Sequence, residues 1–262
     1  MINNVVANAR LAQKEWAKVP VKTRAAIFLR FSKLVLAKQD QILDVIQEET
    51  KKNRLSAFEE LLDTVQLSHY YGRHAASILK DHRRRGAFPI FTKAREVHRP
   101  VGVVGVITPW NYPFTLPATD IAPALIAGNS VVLLPDEMTP KIADLMLALM
   151  IEAGLPEGLV SIVHGGGRVH GSDLINAVDF VMFTGSTATG RIVAKQCAER
   201  LIPFSAELGG KNPMLVLSDA DPVKAADGAV RACFANSGQL CVSIERIYVV
   251  EKSYDEFVKH FV

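Results

Sequence analysis

Five short apolar runs, rich in β-branched residues, recur through the chain at residues 101–107, 130–134, 160–163, 180–183 and 214–217. Unbroken apolar character over such a length is what a strand buried on both faces requires. Helix-like segments separate the early runs, at about 115–127, 139–153 and 168–177, and another follows at 187–200. This alternation predicts an α/β fold, a Rossmann-like parallel sheet wound with helices. No run reaches the length of a membrane span, and Pro109 ends the densest one. A last helical segment, about 222–236, leads into a glycine-bearing turn that carries Cys241.

The first eighty residues read as helix. Ile27, Phe31, Leu34 and Val35 share one face, with Lys33 and Lys38 off it. Pro20 separates two helices and is expected close to the first helical position of the second. Asp40 suits an N-cap for the next run, and a longer amphipathic segment spans about 57–80. Residues 82–100 differ: basic residues, Gly86, Pro89, Pro100 and the short alternation Phe88, Ile90, Thr92 predict an extended excursion from the main body.

Hydrophobic residues make up 49% of the 262 and charged residues 22%, which fits a globular protein rather than a disordered one. A net charge of +3 gives no argument for nucleic acid as a partner, and the basic cluster from His82 to Arg85 reads as a solvated loop or a subunit contact. The N-terminus, with Asn3, Asn4 and Arg10, lacks the apolar core of a secretory signal. Three cysteines, without a Cys-x-x-Cys pair, argue against a disulfide framework and for a reducing cytoplasm. The seven histidines show no zinc-ligand spacing, so no metal is expected.

Three separated residues could do covalent chemistry on a carbonyl: a thiol, a carboxylate and an amide. Cys241 follows Gly238, comes soon after a helix end and has the polar neighbours Gln239 and Ser243. Cys197 and Cys233 lie inside helical runs and read as packing residues. Glu207 is expected in a loop before two glycines, where a solvated glutamate is the plain alternative; Asn111, between Trp110 and two prolines, could equally be a turn residue. The segment from Phe183 to Arg191 follows a strand and opens a helix, so its small residues and free N–H groups could face a phosphate, a weak sign by itself. Glu137, after the strand ending at Leu134, could accept from ribose hydroxyls or simply sit at a helix N-terminus.

Taken together, Pro-Trp-Asn-Tyr-Pro at 109–113, Val-Leu-Leu-Pro-Asp-Glu-x-Thr-Pro at 132–140, Phe-Thr-Gly-Ser-Thr-x-x-Gly at 183–190, Glu-Leu-Gly-Gly-Lys-Asn-Pro at 207–213 and Asn-Ser-Gly-Gln-x-Cys at 236–241 resemble the aldehyde dehydrogenase superfamily. The motifs stand in that family's order, and the residues around 100–140 look closest to members acting on semialdehydes. The resemblance implies oxidation of an aldehyde to a carboxylic acid. Cys241 would be the nucleophile, Asn111 and the Cys241 N–H would hold the oxyanion, and Glu207 would activate the water that hydrolyses the thioester. NAD, with NADP as the second choice, would lie along Thr108, Pro109, Trp110, Glu137, Gly185, Ser186, Gly190 and Leu208. Glu137 would repel a 2′-phosphate, hence the preference for NAD.

The same resemblance divides the chain into a cofactor domain of residues 1–81 and 101–209, an oligomerisation arm of 82–100, and the first part of a catalytic domain at 210–262. It implies a homo-dimer or tetramer, a small aldehyde as the partner, and no membrane. It departs from the family pattern at Leu134, where a ribose-contacting lysine is usual, and at Asp120, where a basic residue is common. By comparison with the family the chain reads as shortened at both ends, which keeps two alternatives open: a remnant that binds only nucleotide or partners, and a coenzyme A-acylating enzyme.

Overall fold

Four helices open the chain: α1 (Ile2–Trp16), α2 (Val21–Ala37), α3 (Gln39–Thr50) and α4 (Arg54–Ile78). The computed structural model describes residues 2–88 and 91–262; Pro89 and Ile90, part of the alternation expected in the 82–100 excursion, lie outside the described residues, as does Met1. α1 buries Ile2, Val6, Ala9, Gln13 and Trp16, a stripe at helical spacing. α2 buries Ala25, Phe28, Phe31 and Val35 on the face expected from sequence. Pro20 stands at the N-cap of α2, one residue earlier than expected. Asp40 does not cap α3: Lys38 is the N-cap residue and Asp40 falls in the first turn, where a carboxylate still faces the positive helix end. Asn53 caps α4, its side chain accepting from Ser56 N at 2.8 Å.

The excursion is a two-stranded antiparallel ribbon, β1 (His82–Arg84) against β2 (Ala94–Glu96). Beyond it the chain alternates as expected through β3 (Val103–Ile107), α5 (Thr115–Ile126), β4 (Ser130–Leu134), α6 (Pro140–Glu152), β5 (Val160–Ile162), α7 (Gly167–Ala177), β6 (Phe180–Thr184) and α8 (Thr187–Glu199), and then adds an unexpected strand, β7 (Phe204–Glu207). These strands form one parallel sheet in the order β5-β4-β3-β6-β7. Glu207 is therefore not in a loop, as the sequence suggested; it ends the edge strand β7, opposite Thr184. The mixed sequence Phe-Ser-Ala-Glu lacks the apolar continuity of the central strands because an edge strand is half exposed.

Alternate residues of the strands enter two cores. Val104, Val106, Val131 and Leu133 pack with Phe28, Phe31, Phe114 and Met146 on one face. Val103, Ile107, Val132, Leu134, Val181 and Phe183 pack with Ile2, Val6, Leu174 and Cys197 on the other. Val101, included in the expected strand, is exposed; the strand begins at Val103, whose N–H donates to Asp179 at 2.8 Å. Gly102 precedes it with φ +127°, and a Cβ there would lie 2.2 Å from the Asp179 carboxylate. A third core gathers Val216, Ala226, Ala229 and Phe257 from β8 (Asn212–Val216), α9 (Pro222–Phe234), β9 (Ile244–Val249) and α10 (Glu251–Phe261). β8 and β9 pair in parallel.

The helical layer is fastened to the end of α5 by buried side chains that donate to its carbonyls. Trp16 Nε1 donates to Leu125 O at 2.7 Å and Gln13 Nε2 to Gly128 O at 2.9 Å. Arg24, only 5% exposed, donates to Ile126 O at 2.8 Å and to Val19 O. Helix C-terminal carbonyls carry partial negative charge and are otherwise orphaned. Arg24→Met removes the donor to Ile126 O at the end of α5 and to Val19 O before α2, so thermal or denaturant unfolding will show a loss of about 3 kcal/mol.

Candidate active site

After β3, β4 and β5 the chain crosses back and adds β6 to the opposite side of β3. Loops leave β3 and β6 in different directions at this reversal and open a crevice at the carboxyl ends of the strands. The resulting cleft, about 680 Å³, is bounded by Ile107, Leu134 and Phe183 at its floor and by Thr108, Pro109, Trp110, Glu137, Gly185 and Ser186 around it. Six of the eight residues expected to line a cofactor are thus together. Gly190 and Leu208 do not line it. Gly190 is buried inside α8, and a Cβ there would sit 2.5 Å from Leu208 Cδ2. Its smallness lets α8 approach the end of β7.

Ser186 caps α8 by accepting from Thr189 N at 3.2 Å, which leaves the first turn of that helix facing the cleft. A second helix start, Gly166, Gly167 and Arg168 at α7, also faces it, together with Ser172, Thr189 and Gln196. Of these, only Thr189 falls in a segment that the sequence pointed to; the start of α7 was not expected there. Its signal is the glycine run after β5, where Gly165 and Gly166 take φ +116° and +76°. Arg168 is the one Lys or Arg among the described lining residues, and Glu137 faces the Gly166 backbone. Leu134 is a buried apolar residue of the cleft floor, paired with Ile107.

The loop leaving β3 carries Asn111. Its Nδ2 donates to Gln239 O at 2.9 Å, two residues before Cys241. Asn236 Nδ2 returns a hydrogen bond to Asn111 O at 3.2 Å. The two motifs, distant in sequence, are thus one hydrogen-bonded unit. The expected helix 222–236 stops at Phe234. A 3-10 turn (Ala235–Gly238) follows, with Asn236 and Ser237 left-handed at φ 49° and 58°. Such backbone costs energy in non-glycine residues and persists where surroundings enforce it. Here Asn236 is buried and its N–H reaches Ser56 Oγ at 3.3 Å. Cys241 emerges exposed from the turn, and Asn212 Nδ2 donates to its carbonyl at 2.7 Å. Burial pushes the Cys197 and Cys233 thiols up, which keeps them protonated and inert.

Asp120, on α5, is pushed up to about 7, first by burial and then by the Glu207 carboxylate. A folded value above the ordinary 3.8 means the fold binds this proton more tightly than the unfolded chain. The associated stability is complete below about pH 4 and is lost as the pH rises to about 7. Asp120→Asn will remove that slope and raise the melting temperature at pH 8 relative to the unsubstituted protein, measured by thermal unfolding across pH 4–8.

Among the described residues no helix is long and apolar enough to cross a membrane, and no cluster of three potential metal ligands occurs. The family model described as "Aldehyde dehydrogenase family" matches residues 1–262. A protein of Mycolicibacterium smegmatis, named as a putative NADP(+) succinate-semialdehyde dehydrogenase, is 51% identical over 97% of this chain and 49% of its own length. An E. coli NADP-dependent enzyme superposes with a TM-score of 0.95 at 31% identity, covering 99% of this chain and 54% of that one. An NAD-dependent benzaldehyde dehydrogenase from Corynebacterium glutamicum gives a TM-score of 0.92 at 32% identity, over 99% of this chain and 57% of its own. The chain spans about half the length of the curated relatives it matches. A matched length of this extent, joined to a parallel sheet that brings the Asn111 and Cys241 motifs together, settles the family: the chain belongs to the aldehyde dehydrogenases.

Proposed function

We propose that this chain is the cofactor-binding and nucleophile-bearing part of an enzyme that oxidises an aldehyde to a carboxylic acid with NAD(P). The observation that carries this reading is the hydrogen bond from Asn111 Nδ2 to Gln239 O, which ties an amide donor to the turn that presents Cys241. A primary amide has two N–H groups, and one remains for an oxyanion. The cleft begins at Thr108 to Trp110, directly before Asn111, so a ligand in it reaches the same loop.

The lining fits a dinucleotide. The crevice lies at the reversal of strand order, and two helix N-termini face it, as diphosphate binding requires. Gly185, Ser186 and the start of α7 would hold the diphosphate. Glu137 would accept from the adenosine ribose and favours NAD, whereas Arg168 offers a cation for a 2′-phosphate, so NADP remains the alternative. When bound, the nicotinamide supplies the two-electron acceptor. The chain's own residues do the rest. Cys241 Sγ adds to the aldehyde carbon, and the oxyanion takes hydrogen bonds from Asn111 Nδ2 and the Cys241 N–H. Loss of the carbon-bound hydrogen with its electron pair leaves a thioester on Sγ. Glu207 takes a proton from water, the resulting hydroxide attacks the thioester, and acid departs as the thiolate is regenerated.

By this reading residues 1–81 and 101–209 form the cofactor domain, the 82–100 ribbon is the oligomerisation arm of a homo-dimer or tetramer, and 210–262 belong to the catalytic domain. The likeness to a relative named for succinate semialdehyde supports a semialdehyde as substrate, and the composition supports a cytoplasmic location. Glu207 favours hydrolysis over acyl transfer to coenzyme A, because a positioned base serves water.

Aldehyde-dependent NAD(P)H formation by the intact protein tests the reading. Cys241→Ser abolishes it; oxidation that survives the substitution overturns the nucleophile assignment. Glu207→Gln will give a burst near one NAD(P)H per site followed by slow turnover, seen by stopped-flow absorbance. Asn111→Ala will lower kcat by about 10²–10³-fold, the usual effect of removing one oxyanion donor.

A further inference from the structure

Lys52 and Glu60 form an ion pair that none of the expected chemistry uses. Their side chains are 3% and 0% exposed, and Lys52 Nζ lies 2.6 Å from Glu60 Oε1. Burial pushes the Glu60 carboxyl up, while the Lys52 charge and hydrogen bond and the N–H groups of Phe114 and Thr115 oppose the rise. A buried pair of this kind gives little net stability compared with apolar residues of similar size. Its geometry points elsewhere. The same Lys52 Nζ donates to Asn111 O at 2.6 Å and stands 4.2 Å above the Tyr112 ring. The other Glu60 oxygen accepts from Phe114 N at 2.9 Å and from Thr115 N at 3.4 Å, the start of α5. The pair therefore grips residues 111–115 at both ends. Ser56, between Lys52 and Glu60, holds Asn236 N, so residues 52–60 also brace the turn that leads to Cys241.

We infer that Lys52 and Glu60 are positioning residues for the oxyanion donor: the buried pair sets the Asn111 backbone so that its side-chain amide faces both the Cys241 turn and the reacting carbonyl. This rests on the proposed function. A side chain follows its backbone. The Asn111 carbonyl is clamped by Lys52 Nζ and by Asn236 Nδ2, and the amide of the same residue is thereby aimed at Gln239 O. A misplacement of about 1 Å in a catalytic donor can cost on the order of 10²-fold in rate. A charge-assisted bond to a carbonyl suits this task because it is short and directional.

The test is a double-mutant cycle with Asn111→Ala in the intact enzyme, using paired Lys52→Met and Glu60→Gln so that no lone charge is left buried. The expected result is a fall in kcat of about 10- to 100-fold, with the cofactor KM changed by less than about threefold. In the Asn111→Ala background the same pair should cost less than about twofold, since the donor it positions is gone. An equal cost in both backgrounds would mean a merely structural pair and overturns the inference. Glu60→Asp, which keeps both charges but shortens the grip, is the second variant should the paired one not fold, and it is read by the same cycle. If the wild-type enzyme forms no NAD(P)H with aldehydes, the proposed function fails, and the inference is then judged by NMR of the Asn111 side-chain amide. Shifted amide resonances in Glu60→Asp would support it, and unchanged resonances would overturn it.

Discussion

Five parallel strands end on one rim, and the loops leaving that rim line the cleft. Parallel pairing requires a crossover after each strand, and a crossover long enough to return is a helix that covers the sheet. Both faces are then buried, which is why Val103 to Ile107 and Val131 to Leu134 are apolar without interruption. It also means that polar chemistry can be placed only in the loops that leave the strands. Thr108 to Asn111, Glu137, Gly185 with Ser186, and Glu207 all stand at or just beyond a strand's carboxyl end. The return from β5 to β6 opens the gap between those loops where a ligand fits.

The opening helices have a different task. α2 to α4 pack on one face of the sheet and most of α1 on the other, and buried donors fasten them to it: Trp16, Gln13 and Arg24 end on carbonyls at the close of α5. Lys52, Glu60 and Ser56 reach the start of α5, the Asn111 loop and the turn before Cys241. The helical layer thus grips α5 at both ends and reaches from the sheet to the turn before Cys241. A helix has orphan N–H groups at its start and orphan carbonyls at its end, and this chain satisfies both with side chains from a distant segment. Asn236, first of the left-handed pair, is held in the same way, its N–H donating to Ser56 Oγ 180 residues away.

Much of the fold was legible because local pattern and tertiary environment agree. Fully buried strands have unbroken apolar sequences, and the helices around them carry apolar stripes, so β3, β4, β6 and α5 to α8 fall where the pattern places them. β7 was not legible: as an edge strand it is only half covered, and Phe-Ser-Ala-Glu has neither a continuous nor an alternating pattern. Asp40 looked like a cap by residue type, but capping depends on where the preceding helix ends, and α2 runs on to Ala37, so α3 has already begun at Gln39. Of the candidate site, Cys241 stood out by its turn and polar neighbours, whereas Asn111 and Glu207 were singled out by the motifs of the family resemblance. Gly190 and Leu208 were read as ligand contacts from their motifs, yet they touch each other behind the cleft. Arg168 went unnoticed because an arginine after three glycines is indistinguishable from a solvated one until α7 is laid beside β4.

The sequence by itself determined the winding of strands and helices and the reactive groups available, because burial on two faces and nucleophilicity are properties of residue type and spacing. Only the tertiary structure decided which groups meet. The bond from Asn111 to Gln239 and the clamp of Lys52 and Glu60 on residues 111–115 join positions separated by 50 to 130 residues. No local pattern encodes such pairings, since the free energy that selects them comes from closing the whole core around the sheet, and each polar group buried in that closure must find whatever partner the packing brings.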